Sequence, residues 1–186
     1  MSALMEIIRS RRSVRGYRDA PVEEEKIREI VEAARLAPSA CNSQPWRFVA
    51  ARGAVKKELV DKALGRIVVG NRWAQTAPVV IAACADLSFV THKVAAQVQG
   101  LEFHLLDMGI AVEHLVLRAA ELGLGTCWIG WFDEAEVRRV LKVPKSVRIA
   151  ALVTLGYPES PLAAGDKKRL SLGEILFWDS YGVCHP

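Results

Sequence analysis

One long apolar pattern constrains the fold of this chain more than any other feature. Within residues 93–122, apolar side chains recur at alternating steps of four and three, the spacing of one helix face. They are Leu101, Leu105, Met108, Val112, Leu115, Ala119 and Leu122. A second apolar line on another side of the helix comprises Leu106, Ile110 and Leu117. Because a helix that is apolar on two sides must be covered on both, we predict that it lies in a core or at a subunit interface.

Shorter apolar runs predict strands. Residues 47–51 form a short run that predicts a buried strand, and residues 147–156 predict another. The run at residues 78–85 is unbroken and rich in β-branched side chains, which is typical of a strand covered on both faces. Residues 126–131 also run apolar. We therefore expect a sheet with at least one fully buried strand.

Helical spacing and end signals predict further helices between these strands. Asp133, with Glu136 three residues later, resembles a capping box and predicts the start of one of them. Gly123 and Gly125 are expected to end the long helix by adopting left-handed conformations. The predicted helices cover residues 5–9, about 23–36, 55–64 and 133–141.

The chain length and composition indicate one domain over residues 1–186, which is large enough to form its own hydrophobic core. No apolar run approaches the roughly 20 residues needed to span a bilayer, and no signal-peptide pattern begins the chain, so we predict a cytoplasmic location without a membrane partner. Four cysteines, at positions 41, 84, 127 and 184, are far apart and lack zinc-type spacing. We accordingly expect neither a metal site nor a disulfide framework.

A loop between two prolines, Pro38 and Pro45, carries a cluster of hydroxyl, thiol and amide side chains. Each proline pushes the residue before it away from the helical region, which predicts a fixed, non-helical loop. The polar side chains offer donors and acceptors together, which would suit the edge of a planar heterocycle. They would also suit a turn that satisfies its own backbone, and the residues alone favour this second interpretation without excluding the first.

The densest basic stretch spans residues 9–18 and contains five arginines, in a chain of net charge +4. Such a stretch can bind nucleic acid or a phosphorylated cofactor. Only Tyr17 is available there for base stacking, and no nucleic-acid-binding motif accompanies it. We therefore expect no nucleic-acid partner.

Four segments together resemble the family of FMN-dependent nitroreductases. They are RRSVRGY at residues 11–17, PSACNSQPW at 38–46, GLGTCWIG at 123–130 and KKRL at 167–170. The resemblance runs from about Arg9 to the end of the chain. It implies an α+β fold with a mostly antiparallel central sheet flanked by helices. It also implies a homodimer with FMN at the interface and a C-terminal arm on the partner subunit, which would cover the aromatic tail at residues 177–181.

The resemblance also implies roles for individual residues. The FMN phosphate would be held by Arg11, Arg12, Ser13, Lys167 and Arg169, and Arg15 would approach N1 and O2 of the flavin. Pro38, Ser39, Ala40, Asn42 and Gln44 would reach a flavin bound mainly to the other subunit. Asn71 is a candidate for the pyrimidine edge. Trp128, Ile129 and Gly130 would cover the ring, with the Gly130 N–H donating to N5. The alternatives are a solvated basic turn, an ordinary loop asparagine, and a buried strand with a glycine bulge.

No nucleophilic triad or carboxylate pair is suggested by spacing, as expected where a cofactor carries the chemistry. The absence of a GxGxxG motif predicts that NADH or NADPH docks transiently over the flavin. The implied reaction is ping-pong hydride transfer through flavin N5 to a small acceptor such as a nitroaromatic or a quinone. Alternatives within the family are reductive dehalogenation and flavin fragmentation. A non-catalytic flavin-binding module is the alternative from another class.

Overall fold

The computed structural model describes residues 2–65, 70–87, 102–160 and 167–183. The helices are α1 (Ala3–Ser10), α2 (Glu24–Arg35), α3 (Gly53–Leu59), α4 (Phe103–Glu121) and α5 (Glu134–Leu141). The strands are β1 (Trp46–Arg52), β2 (Val79–Asp86), β3 (Gly125–Ile129) and β4 (Val147–Gly156). Helix α3 continues into a π-helical turn, Val60–Leu64. The predicted long helix is confirmed over α4, while residues 93–101 of its pattern lie outside the described residues.

The four strands form one sheet in the order β1-β2-β4-β3, and every neighbouring pair is antiparallel. In the centre of the sheet, Ile81 of β2 pairs with Val153 of β4, which in turn pairs with Trp128 of β3. Helices pack on both faces of the sheet. The predicted α+β fold, with a central antiparallel sheet flanked by helices, is confirmed.

The alternating side chains of β2 serve two separate cores. Val79 and Ile81 point towards α2 and α4, where they pack with residues such as Ile30 and Leu115. Val80 and Ala82 point to the other face, where α3, its π-helical turn and α5 supply the partners. This explains why β2 is apolar without interruption, because a strand covered on both faces has no side facing water.

Strand β1 is confirmed, but the prediction that it is buried is wrong. It lies at the edge of the sheet and pairs only with β2 among the described strands. Arg47 and Ala50 are exposed, and Phe48 and Val49 are only half-buried. Charged side chains such as Arg47 on an edge strand also oppose pairing with a foreign strand.

Helix α4 is apolar on two sides, as its sequence predicts, and the residues that the structure describes cover mainly one of them. Met108, Val112 and Leu115 are buried against α2 and the sheet. Leu106 and Ile110, by contrast, are 57% and 39% exposed. No helix among the described residues is long and apolar enough to cross a membrane.

Of the two glycines expected to end α4, only Gly123 does so. Its φ of +75° is the left-handed conformation that glycine adopts without strain. The prediction for Gly125 is wrong, because this residue begins β3 in extended conformation. Glycine is needed at this position because the Val14 side chain packs closely against it. A Cβ on residue 125 would lie only 2.7 Å from Cγ2 of Val14.

Candidate cofactor site

Two adjoining depressions bring together the residues that were predicted to hold a phosphate. The first, of about 370 Å³, is lined by Ile8, Arg9, Arg11, Arg12, Glu113, Lys167 and Arg169. The second, of about 290 Å³, is lined by Arg11, Arg12, Ser13, Lys167 and Arg169. We call the shared residues Arg11, Arg12, Lys167 and Arg169 the cation cluster. The fold thus joins the chain's two ends, more than 150 positions apart, into one basic surface.

The end of α1 sets the position of the first half of the cluster. Arg11 is the residue at which the helix ends, and its N–H still donates to the Ile7 carbonyl at 2.9 Å. The chain then runs extended along β3, where the Val14 N–H donates to the Thr126 carbonyl at 2.8 Å and Ser13 forms an isolated bridge to Thr126. Ser13 is thereby held beside the cluster.

The second half of the cluster is anchored to the same helix end. Lys167 Nζ donates to the Ile8 carbonyl at 3.5 Å, and the Arg11 guanidinium lies 3.9 Å from the Glu113 carboxylate on α4. Burial and then the neighbouring Arg11, Arg12 and Arg169 lower the pKa of Lys167 below its ordinary value, while Glu113 acts in the opposite direction. One carboxylate therefore does not neutralise the cluster, and a phosphate dianion would relieve the repulsion among its cations. The residues present fit the phosphate of FMN.

Arg15 lies two residues beyond Ser13 in the segment that runs along β3. Its guanidinium carbon lies 5.7 Å from the centroid of the Trp73 ring, within cation–π range. It also lies close to the Cys127 thiol, whose pKa is raised mainly by burial and lowered in part by Arg15 and Ser13. Because the net shift is upward, Cys127 stays a neutral thiol at neutral pH and does not itself neutralise the positive charge of Arg15.

Asn71 is engaged at both ends of its amide. Its Nδ2 donates to the Trp131 carbonyl at 3.1 Å, and its Oδ1 accepts a hydrogen bond from Trp73 Nε1 at 3.3 Å. This side chain bridges two tryptophans from distant parts of the chain, which gives it a structural role, and the alternative of a loop asparagine without a cofactor contact stays open. Its contact with a pyrimidine edge stays a prediction.

The proline-bracketed loop is fixed, as predicted, although it contains one 3₁₀ turn, Ala40–Asn42. Cys41, Asn42 and Gln44 have φ values of +51°, +51° and +47°. Such conformations are uncommon for residues with side chains, and clusters of them are found at functional sites. The Ala40 N–H donates to Asp107 Oδ1 on α4 at 2.9 Å, which ties the loop to the helix.

The loop also satisfies part of its own backbone, as the alternative reading predicts. The Gln44 N–H donates to Ser39 Oγ at 3.0 Å, and Gln44 Nε2 donates to Asn42 Oδ1 at 3.2 Å. Pro38, Ser39, Ala40, Asn42 and Gln44 are not among the described residues that line the two depressions. A role towards the cofactor of another subunit stays a prediction for them.

The segment predicted to cover the flavin ring lies at the end of β3, the other edge strand. Trp128 is 42% exposed, Ile129 is buried and Gly130 is exposed. A Cβ at Gly130 would meet no heavy atom of the described chain within 4 Å, so its backbone borders open space. The alternative of a buried strand with a glycine bulge holds in part: four of the five β3 residues are buried, but Gly130 follows the last residue of the strand and forms no bulge within it.

Sequence reasoning missed three residues that organise this region: Trp73, Asp107 and Glu113. Each acts through one tertiary contact. Trp73 contacts Arg15, Asp107 accepts a hydrogen bond from the Ala40 N–H, and Glu113 pairs with Arg11. Only Trp73 had a usable signal, an aromatic residue two positions after Asn71. Among the described residues, no group of three or more His, Cys, Asp or Glu side chains could hold a metal ion.

The chain thus combines an antiparallel α+β fold with a cation cluster whose donors suit a phosphate group. The sequence model of the nitroreductase family matches residues 8–157, and the chain belongs to this family. It is 35% identical over 194 residues to a protein of Thermus thermophilus named NADH dehydrogenase, covering 90% of this chain and 92% of that protein. It is 31% identical over 195 residues to a Bacillus subtilis protein named as an FMN reductase that uses NAD(P)H, covering 97% and 75% of the two chains.

The fold is likewise similar to that of a crystallised relative. A nitroreductase family protein from Clostridium difficile 630 superposes with a TM-score of 0.82 at 27% sequence identity. The match covers 97% of this chain and 99% of that one. The predicted resemblance to the nitroreductase family is confirmed by sequence and by fold.

Proposed function

We propose that this protein is an FMN-dependent NAD(P)H oxidoreductase that reduces small electron-poor acceptors such as nitroaromatics or quinones. The broader prediction, an NAD(P)H-dependent oxidoreductase, is confirmed by family membership and by homology to proteins with that activity in their names. The acceptor and the ping-pong order of the reaction are parts of the proposal.

The observation that carries the proposal is the cation cluster. Arg11, Arg12, Lys167 and Arg169 converge on two adjoining depressions. Burial first, and then repulsion from the neighbouring arginines, lower the pKa of Lys167. Guanidinium groups bind phosphate oxygens in pairs, and the Ser13 hydroxyl can add a further donor. A phosphomonoester such as that of FMN matches this donor set better than an uncharged ligand would.

The other predicted residues then have distinct tasks. Bound FMN would supply a ring that accepts a hydride from NAD(P)H and passes electrons on to the acceptor. Arg15 would place positive charge where negative charge develops, and such pre-oriented charge lowers an activation barrier. The exposed backbone at Gly130 would offer an N–H to the ring. Trp128 would supply apolar cover, while Ile129 anchors the segment in the core.

The proposal is tested by the visible absorption spectrum of the purified protein and by its NAD(P)H oxidation with a quinone or a nitroaromatic. We expect a flavin spectrum, release of FMN on denaturation, and NAD(P)H oxidation that requires the acceptor. A colourless protein that neither binds added FMN nor oxidises NAD(P)H would contradict the proposal. A flavin spectrum without turnover would favour the non-catalytic flavin-binding module.

Two further measurements on the NAD(P)H oxidation reaction, halide release and recovery of the flavin spectrum, separate the alternatives within the family. Reductive dehalogenation predicts halide release from a haloaromatic at the expense of NAD(P)H. Flavin fragmentation predicts consumption of the flavin itself, so its absorbance would be lost irreversibly during turnover. For the proposed function, the flavin spectrum must return fully once NAD(P)H is exhausted.

We further propose a homodimer with FMN at the interface and the C-terminal arm on the partner subunit. Helix α4 leaves Leu105, Leu106 and Ile110 between 39% and 57% exposed. In the arm, Trp178 is 48% and Tyr181 93% exposed. Exposed apolar side chains grouped in this way mark association sites when they form one patch, and a two-fold dimer covers the same patch on both copies.

We expect a dimer by sedimentation at micromolar concentration, and we expect Leu106→Asp to weaken it by at least tenfold. A carboxylate at a buried interface position must lose hydration, which is costly when it has no partner. Val55→Asp is the control, since Val55 is 48% exposed on α3, which packs on the opposite face of the sheet. A wild-type monomer, or equal effects of the two substitutions, would remove α4 from the interface.

The single domain over residues 1–186, the cytoplasmic location and the absence of a nucleic-acid partner remain proposals that rest on the sequence.

A further inference from the structure

We propose that Trp73 is a positioning residue that holds the Arg15 guanidinium in place beside the cofactor, and that Asn71 in turn fixes Trp73. This inference rests on the proposed function, in which Arg15 approaches the flavin. It assigns Asn71 a role different from the one that resemblance implies, because the asparagine then acts on the cofactor through Trp73 and Arg15.

The first observation is the contact between Arg15 and Trp73. The guanidinium carbon lies 5.7 Å from the centroid of the indole ring. Apart from this contact and its approach to the Cys127 thiol, Arg15 is exposed, and an exposed arginine samples many rotamers. A cation over a tryptophan face is attracted by the ring, and tryptophan is the best of the aromatic partners. The contact therefore restricts the charge to one place near the protein surface.

The second observation is that Trp73 is itself fixed. Its Nε1 donates to Asn71 Oδ1 at 3.3 Å, and its carbonyl accepts a hydrogen bond from Thr76 Oγ1 at 2.9 Å. Its half-buried ring packs against the cluster of Val14, Tyr17 and Ala77 and also against the core below α3. An aromatic ring held by two packed clusters is a rigid platform for a flexible side chain.

The third observation is that the backbone of Arg15 is also fixed. The neighbouring Val14 N–H donates to the Thr126 carbonyl at 2.8 Å, and the Val14 carbonyl accepts a hydrogen bond from the Tyr17 hydroxyl at 2.7 Å. With its backbone tied to β3 and its guanidinium on Trp73, Arg15 is held at both ends. Pre-organised charge of this kind costs no rearrangement when the reaction needs it.

The fourth observation concerns Asn71 and Trp131. Asn71 Nδ2 donates to the Trp131 carbonyl at 3.1 Å while its Oδ1 accepts from Trp73. The amide therefore ties the ring of Trp73 to the segment that follows β3, where Gly130 borders open space. Arg15 on one side and the Gly130 backbone on the other are thus linked through two side chains.

The inference is tested by a double-mutant cycle on the reduction potential of bound FMN. A charge near N1 and O2 favours reduced over oxidised FMN, so its loss lowers the ratio of the two affinities. We expect Arg15→Gln to lower this ratio about tenfold, equivalent to about 30 mV for a two-electron couple. We expect Trp73→Leu to lower it about threefold, the factor that corresponds to an exposed cation–π pair.

The decisive expectation concerns the double variant. If Trp73 acts by positioning Arg15, Trp73→Leu has no further effect once Arg15 is glutamine. Equal effects of Trp73→Leu in both backgrounds would overturn the inference, because the ring would then act on the flavin or on the fold without Arg15. An unchanged ratio in Trp73→Leu alone would overturn it as well.

Milder variants keep the test valid if Trp73→Leu does not fold. Trp73→Phe retains an aromatic face and is expected to keep most of the wild-type ratio. Asn71→Ala is expected to lower the ratio less than Trp73→Leu does, and only when Arg15 is present. An Asn71→Ala effect that persists in Arg15→Gln would instead support direct contact between Asn71 and the pyrimidine edge.

Another cation–π pair among the described residues offers a matched control. Lys26 lies on α2, and Tyr157 directly follows β4. The Lys26 Nζ lies 5.0 Å from the centroid of the Tyr157 ring. Tyr157→Leu removes an aromatic partner of a cation and is expected to leave the FMN affinity ratio unchanged. The two proposals can fail separately. Failure of the wild-type protein to bind FMN would contradict the proposed function. If the wild-type protein binds FMN but the effects of the two substitutions are additive, only the role of Trp73 is contradicted.

Discussion

Replacing Arg11 with alanine is expected to weaken FMN binding tenfold or more and to affect riboflavin binding much less. Arg11 lies in both depressions with Arg12, Lys167 and Arg169, and its side chain is only 23% exposed. A hydrogen bond to a charged group contributes about 1.5–3 kcal/mol, which corresponds to about tenfold or more in affinity. Riboflavin lacks the phosphate, so it cannot lose this interaction. Titration of the apoprotein with each flavin, followed by fluorescence quenching, measures both affinities.

Arg28→Ala provides the control for a general loss of positive charge. Arg28 is 76% exposed on α2, where it pairs with Glu24 at 2.6 Å. Its removal lowers the net charge as much as that of Arg11 but is expected to change FMN affinity less than twofold, since exposed charges are screened by salt. Equal losses of FMN and riboflavin affinity in Arg11→Ala would show that Arg11 does not bind the phosphate.

The sequence predicts the core of the fold well because hydrophobic periodicity is a local signal. The β2 run and the α4 pattern each report burial directly, and the structure places both where the pattern indicates. The position of β1 could not be predicted in this way. Whether a short apolar run lies in the middle of a sheet or at its edge depends on strand order, which no local pattern encodes.

The cation cluster shows what a resemblance adds to such patterns. Arg11, Arg12 and Ser13 are adjacent in sequence, so a basic stretch is evident from the residues alone. Lys167 and Arg169 come from a loop, and consecutive basic residues on loops usually face solvent. Only the family resemblance pairs these segments, and the structure brings them together around two shared depressions.

The missed residues have a common physical cause. Trp73, Asp107 and Glu113 each act through one contact with a residue distant in sequence. Such a contact leaves no periodic trace, and its partner could be any of many side chains. The same reason underlies the error at Gly125, where glycine near a helix end fits a C-terminal cap but is required for packing against Val14.

Replacing Gly125 with alanine is expected to destabilise the fold by about 1–3 kcal/mol and to weaken FMN binding as well. A Cβ at this position would lie 2.7 Å from Cγ2, 2.8 Å from Cβ and 2.9 Å from Cγ1 of Val14. Rotation of the Val14 side chain cannot relieve the contact with its own Cβ, so the backbone around Val14 must shift. Overpacking of this kind typically costs about 1–3 kcal/mol, measurable by urea denaturation.

The effect on FMN follows from the position of Val14 between two residues of the candidate site. A displaced Val14 loses its 2.8 Å hydrogen bond to Thr126 and moves Ser13 and Arg15 with it. Val14→Ala in the Gly125→Ala background removes two of the three close contacts and leaves the Cβ at 2.8 Å. We therefore expect the double variant to be more stable than the sum of the single effects predicts, with partial recovery of FMN affinity. Additive losses would show that Gly125 is required for a reason other than its contact with Val14.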